Sequence, residues 1–240
     1  PPAPTASQPP APAPSNSSVF FDGASQYLRL PAVEGARSVS LWAYKSSRQF
    51  QALQFLVDVD LPDNATIVRG VNDAFFSSGA VGKVWEAMYI NGNAVDVAWD
   101  SLPTEQWFHL HLASYTLQAL DNAWMFMGHF EANLDQALVG TMRGRLGEVF
   151  FWDGALLPSE VLAIAEGFNG QYVTTANLVG WFMLEEGSGS DVINIMDKDG
   201  ARGHLVNNPQ WMYEDAVDLG YQPYRSPSAP PPSPPPSPPP

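Results

Sequence analysis

The chain has 240 residues, no cysteine, and 11 lysines and arginines against 25 aspartates and glutamates, for a formal net charge of −14. These numbers exclude a disulfide framework, a thiol nucleophile and any cysteine-based zinc site. They also argue against a nucleic-acid binder or a chain drawn to anionic lipid, which need clustered cations. No apolar run reaches the ~20 residues that span a bilayer, whereas the surplus of carboxylates leaves ligands for a hard cation such as Ca²⁺.

Composition divides the chain. Seven of its 23 prolines fall within residues 1–14 and eleven within 223–240, so residues 1–17 and 223–240 read as nearly chargeless low-complexity tracts flanking one domain, 18–222. Successive prolines fix φ and donate no N–H, which favours polyproline II spacers. Residue 1 already lies inside such a tract, and the sequence is read as part of a longer chain. The Ser-(Pro)3 repeat resembles the hydroxyproline-rich glycoproteins of plant and green-algal walls and surface filaments. That resemblance implies an extracellular or cell-surface setting with modified prolines. Asn16 and Asn64 stand in N-x-S/T sequons and are candidate glycosylation sites in such a setting.

Taken in order, the domain opens with VFFDGASQYLRL (19–30), which predicts strand, tight turn at Asp22-Gly23, strand, stopped by Pro31. In SVSLWAY (38–44), Val39, Leu41 and Ala43 alternate with Ser40, Trp42 and Tyr44, and Leu53, Phe55, Val57 and Val59 repeat the pattern. Both faces of these strands are partly apolar, which predicts a two-layer sandwich with one sheet face in the core and the other a concave surface. Asn91-Gly92-Asn93 is a hairpin signal after VWEAMYI. Trp107–Tyr115 sets Phe108, Leu110 and Leu112 against Trp107, His109 and His111, and Trp124–Phe130 is a further aromatic strand. After Gly144–Trp152 comes the one convincing helix, with Pro158 at a first helical position, Glu160 at the positive end of the dipole and Gly167 as a C-terminal cap.

Three stretches carry a resemblance: VFFDGASQYLRL, WFHLHLASY (107–115) and GRLGEVFFWDGALLPSEVLAI (144–164). They are similar to the F-D-G, W-x-H and G-R-x-x-E-V motifs of the laminin-G-like, concanavalin A-like jelly-roll domains. The resemblance implies an all-β, two-sheet antiparallel jelly-roll sandwich with one short helix, flanked here by the polyproline II segments. Residues 177–213 resemble the stretch that usually begins such domains. Coming last, they are expected to pair with the 19–30 strands in a permuted order, the rival being a second, truncated repeat.

Glucanases of this fold carry alternating carboxylates on one strand, within reach of a retaining mechanism. Here only Asp58 and Asp60 alternate, with no third acid before Leu61-Pro62, and Glu148 is isolated. His109 and His111 share a face and could offer two imidazoles to a metal, but sheet packing is the favoured reading. Calcium is the cofactor the resemblance suggests, on Asp197, Asp199 and Gly200 with Asp22 at the FDG turn and Glu185 and Glu186 nearby; Ala201-Arg202 departs from the family's Asn-Gly and sets an arginine there. A sugar-binding surface would draw on Trp42, Tyr44, Trp85 and Tyr89, with Asp58 and Asn72 as polar contacts, although for any single aromatic, packing of the second sheet face or beneath a loop is the favoured reading.

The sequence thus reads as a non-catalytic structural or recognition module of a proline-rich glycoprotein, engaging a neighbouring chain, a polyproline segment or a glycan. A calcium-dependent lectin is the alternative, and a glucanase-type hydrolase the second alternative.

Overall fold

In the computed structural model of the chain, the described residues are 17–46, 53–59, 67–71, 74–78, 85–95, 102–114, 123–127, 142–167, 173–197 and 199–213, with the backbone alone for 53–55, 58–59, 67–71 and 74–78. Asn16, Asn64, Asn72, Asp60 and both proline-rich tracts lie outside these residues, as does the side chain of Asp58.

Period-two segments become strands in two antiparallel sheets. The first sheet contains β1 (Ser17–Asp22), β3 (Ser38–Lys45), β7 (Ala87–Ile90), β8 (Asn93–Val95), β9 (Trp107–Ala113), β11 (Arg143–Trp152), β12 (Leu178–Phe182) and β15 (Gln210–Tyr213), in the order β15-β1-β11-β3-β9-β7-β8, with β12 also on β11. The second contains β2 (Tyr27–Leu30), β4 (Leu53–Val59), β5 (Ile67–Val71), β6 (Ala74–Ser78), β10 (Trp124–Phe126), β13 (Asp191–Val192) and β14 (Gly203–Val206), in the order β13-β14-β2-β10-β4-β5-β6. This is an all-β sandwich. Its one helix among the described residues, α1 (Pro158–Ala165), is too short to cross a membrane.

The inner faces meet in a core that takes Val39, Leu41 and Ala43 from β3, Phe108, Leu110 and Leu112 from β9, Leu28 and Leu30 from β2, and Trp124 and Phe126 from β10. Each is essentially inaccessible to water, and burying a side chain of that size contributes about 1.5–3 kcal/mol. Trp124 stacks on Phe126 with centroids 6.3 Å apart and meets Phe151 edge-on at 4.8 Å.

Two turns follow their local chemistry. Asn91 (φ 51°) and Gly92 (φ 78°) form the two-residue turn between β7 and β8, with Ile90 opposite Asn93; two successive positive φ values match the right-handed strand twist. At the Asp22-Gly23 turn, Asp22 Oδ1 accepts the Ala24 N–H at 2.8 Å and the Gln26 side-chain oxygen accepts the Asp22 N–H at 2.8 Å. That turn does not fold β2 back on β1. It carries the chain from one sheet to the other, and the partners of both strands come from far along the sequence: β15 and β11 flank β1, while β14 and β10 flank β2. Residues 203–213 therefore supply one strand to each sheet beside the opening pair.

The outer face of the first sheet departs from the expected open concave surface. Trp42, Tyr89, Trp107, Phe150, Trp152 and Trp181 form a second apolar layer there, covered by Leu156, Val161 and Ile164 of the α1 region, with Val173, Ala176 and Leu178 packed against it. The physical reason is area. A sheet with large apolar side chains on both faces must cover both, and a short amphipathic helix is the cheapest cover.

Candidate functional site

The covered layer and the inner core fix the place of three of the aromatic side chains expected to meet a ligand. Trp42 and Tyr89 lie in it, 2% and 8% exposed, and Trp85, at 0%, is in the inner core against Trp124. Their faces are spent on packing, so they do not form a binding platform. Of that set only Tyr44 is half-buried at the surface.

Tyr44 stands where the covered layer ends. On one side it meets Trp107 edge-on at 6.0 Å; on the other, the outer face continues over β3, β11 and β1 as a half-exposed strip. Strand register builds that strip. Arg145 lies opposite Tyr44 on β3 and opposite Phe20 on β1, and Arg143 lies opposite Asp22. The Arg145 guanidinium carbon sits 5.4 Å from the Tyr44 ring centroid, and that of Arg143 sits 5.2 Å from Phe20. The Tyr44 hydroxyl donates to Glu105 Oε2 at 2.6 Å, and Ser46 Oγ donates to Glu105 Oε1 at 3.4 Å.

Close strand contact holds the strip together. At Gly144, between the two arginines, a β-carbon would fall 2.0 Å from the Tyr44 carbonyl oxygen. Only glycine lets β11 approach β3 this closely. The cation–π contacts add roughly 0.5–1 kcal/mol each at such exposure and orient the guanidinium planes.

Sequence reasoning missed Phe20, Arg143, Arg145 and Glu105. A signal existed: arginines at i and i+2 in RGRL point to one face of a strand. What it lacked was the neighbours, because the strands beside β11 come from residues 17–22 and 38–45.

The acidic residues proposed for calcium are not gathered into one site. The 197–200 turn precedes Gly203, which sits against Leu30, whereas the Asp22 corner lies at the opposite end of β14, where Gln26 donates to the Asn207 and Asn208 carbonyls at 3.3 and 3.1 Å. Four strand residues at ~3.3 Å each separate the two. Asp22 is therefore corrected out of that ligand set. Asp197 folds back on its own turn, where its Oδ2 would be 2.0 Å from a β-carbon at Gly200, and Asp199 is exposed. Arg202 is drawn to Asp191 at 3.4 Å, and His204 Nδ1 meets the same carboxylate at 3.1 Å. Among the described residues no three histidine or carboxylate side chains converge as metal ligands.

In the loop before β13, Glu186 Oε1 accepts the Ile193 N–H at 2.8 Å. Burial, and then the neighbouring Glu186 charge, raise the Glu185 carboxyl above its ordinary value. At the far edge Tyr213, 70% exposed, is the only exposed phenylalanine, tyrosine or tryptophan among the described residues, its hydroxyl over Gly187.

His109 and His111 are fully buried in the covered layer. Ser40 Oγ lies 2.8 Å from His111 Nδ1, while both ring nitrogens of His109 and Nε2 of His111 have no hydrogen-bond partner among the described residues. Burial, and for His109 also the charge of His111, lowers both to about 3. They are neutral packing groups beside Trp42, Tyr89 and Trp152.

Fold and face together define a two-sheet antiparallel β-sandwich with a polar, guanidinium-bearing strip on one outer face. No protein-family model matches the chain, and no curated protein does. Among solved structures, a protein of Bacteroides ovatus described as a "putative carbohydrate binding protein" superposes with a TM-score of 0.56 at 12% identity, over 88% of this chain. The chain spans 62% of that protein's length. At that identity the likeness is one of fold.

Proposed function

We propose that this chain is a non-catalytic carbohydrate-binding module of an extracellular, proline-rich glycoprotein, and that it binds sugar at the Phe20–Arg145–Tyr44 strip. The observation that carries the reading is the strip itself. On a sheet face otherwise covered by α1 and its flanks, these side chains stay half-exposed, with polar edges fixed by the Tyr44–Glu105 hydrogen bond. Fixed polar groups beside planar surface are what a sugar site requires. The carbohydrate-binding description of the structural neighbour agrees with this, and so does the sandwich the two share. The extracellular setting and the spacer role of the tracts rest on the Ser-(Pro)3 repeat and the sequons of the sequence. The non-catalytic reading rests on the sequence as well, in which the Asp58 and Asp60 alternation has no third acid.

Glycan-array binding of the whole chain, run with Ca²⁺ and with a chelator, tests the proposal. Specific binding is expected in both conditions, since the strip holds sugar through protein groups alone, and Tyr44→Ala is expected to weaken it about tenfold or more. Binding lost on chelation would move the site to the acidic loops. Silence from folded protein would sink the carbohydrate reading and point to a neighbouring protein chain.

A further inference from the structure

We infer that β15 is a tension-released strap: a pull on the chain from both ends of the domain peels it from β1 one residue pair at a time, while the rest of the sandwich stays closed. The ground is register. β1 and β15 are antiparallel, with Ser17 opposite Tyr213, Ser18 opposite Met212, Val19 opposite Trp211 and Phe20 opposite Gln210. The chain with its first proline-rich tract enters the sheet at Ser17, and the chain toward its second tract leaves it at Tyr213, so both depart from the same end of one strand pair. Tension between them acts across that pair at its end. The Ser17–Tyr213 step bears it first, and each step that opens passes it to the next. Were the two strands parallel, entry and exit would lie at opposite ends and all the steps would resist together. The inference uses only the placing of the tracts and holds whatever ligand the outer face takes.

Burial decides which strand yields. β15 has four residues, and among the described residues β1 is its one strand partner. Gln210 and Tyr213 are exposed, and Trp211 and Met212 are half-buried. β1, by contrast, has β11 on its other side, buries Val19 and Phe21 completely, and is tied by Ser17 Oγ to the Leu184 carbonyl at 2.8 Å. An edge strand with so little buried apolar surface lies at the low end of local stability. The peeling also has a stop. Asn207 Nδ2 donates to the Ser25 carbonyl at 2.9 Å, and Gln26 Nε2 donates to the Asn207 and Asn208 carbonyls at 3.3 and 3.1 Å. Behind them β14 is held on both sides, by three residue pairs with β2 and two with β13, with Leu205 in the core. Opening as far as Asn208 therefore frees residues 209–213 and moves the exit point from beside Ser17 to the far end of β1. At ~3.3–3.6 Å per residue for the freed segment and for β1, the two ends separate by about 30 Å. The domain thus yields a fixed increment of length under tension, and β15 re-forms its pairs when the pull relaxes, because no covalent bond has changed.

The test is optical-tweezers stretching of the whole chain held by Pro1→Cys and Pro240→Cys, handles made unique by the absence of any other cysteine. A first, reversible step of about 30 Å is expected, ahead of rupture of the sandwich at higher force. Moving the second handle to Gln210→Cys directs the pull along the strand pair, because residue 210 lies opposite Phe20 at its other end. The first step should then vanish or need at least about twofold more force, since the pairs must break together. Trp211→Ala removes the β15 side chain that packs against the inner core, and should lower the force of the first step while leaving the sandwich's rupture in place. A single all-or-none rupture between residues 1 and 240 would overturn the inference, as would a first step at equal force with the handle at residue 210. A first step twice the expected length would show β14 leaving with β15 and overturn the stop at Asn208. A first step that Trp211→Ala does not move would belong to another part of the chain and overturn the assignment to β15.

Discussion

His109 and His111 show how a residue pattern that suggests metal binding can instead mark a pH limit on stability. Unfolded, both imidazoles take up protons near pH 6.5; folded, they resist until about 3. The unfolded chain therefore binds more protons throughout that interval. Stability from the two neutral rings is fully present above pH 6.5 and is lost as pH falls toward 3, at up to about 1.4 kcal/mol per pH unit for each ring. Denaturant unfolding measured from pH 7.5 to 3.5 is expected to show this slope. His109→Phe should keep stability within about 1 kcal/mol at pH 7, because it removes two nitrogens that have no partner among the described residues and keeps the ring against Trp42. It should also halve the acid slope. An unchanged slope would show that other groups govern it. Trp152, fully buried between Phe150 and His111, is the contrasting case; Trp152→Ala is expected to cost about 3–5 kcal/mol by leaving a cavity.

At the scale of elements, α1 is fastened by one carboxylate. Leu157 offers no side-chain acceptor at the N-cap, and Glu160 serves instead: it accepts the Leu157 N–H at 3.0 Å, the Thr174 N–H and hydroxyl at 2.8 and 3.1 Å, the Thr175 N–H at 3.2 Å, and the Thr175 hydroxyl. Burial alone would raise this carboxyl, but the hydrogen bonds, first those from Thr175 and Thr174, outweigh it and lower the group to about 2. Its contribution is present above the ordinary carboxyl range near 4.5 and fades as pH falls toward 2. Because the group is largely solvated, Glu160→Gln is expected to cost only about 1 kcal/mol, and hydrogen exchange should quicken in α1 and 173–175 before the sheets. Equal protection in the variant would show that apolar packing alone holds the helix. On β11, Gly144→Ala is expected to cost about 2–3 kcal/mol, since β11 and β3 must part to admit the methyl group, and ligand binding at the adjacent strip should weaken with it.

For the whole molecule, strand pairing ties the two ends of the domain together. Ser17 lies opposite Tyr213, and Ser17 Oγ donates to the Leu184 carbonyl at 2.8 Å. Leu205 is in the inner core, and Trp211 packs against it while donating its Nε1–H to the Gly189 carbonyl at 3.0 Å. A chain ending at residue 202 would leave β1 and β2 each without one neighbour and open the core along an edge. Calorimetry is expected to show a cooperative thermal transition for the whole chain and its loss in the shortened one. Retention of that transition would make β14 and β15 an appendage rather than part of the sandwich.

Much of the architecture was legible in the residues, and for local reasons. Alternation separates Val39, Leu41 and Ala43 from Trp42 and Tyr44, Asn91-Gly92 dictates a hairpin turn, and Pro158 with Glu160 starts the helix; each depends only on neighbours in the chain. Sequence also marked an apolar second face on β3. It could not say what covers that face, because α1 and residues 173–183 meet it only after the chain has closed. For the same reason Trp42, Trp85 and Tyr89 looked like ligand contacts and are packing, and Asp22 looked like a partner of Asp197 and stands at the other end of β14. The sequence by itself determined which residues alternate and where the chain turns, since those are properties of a few consecutive φ, ψ pairs. Only tertiary structure decided that Phe20, Tyr44, Arg143 and Arg145 share one open face, because that juxtaposition is made by strands more than a hundred residues apart pairing in a single register.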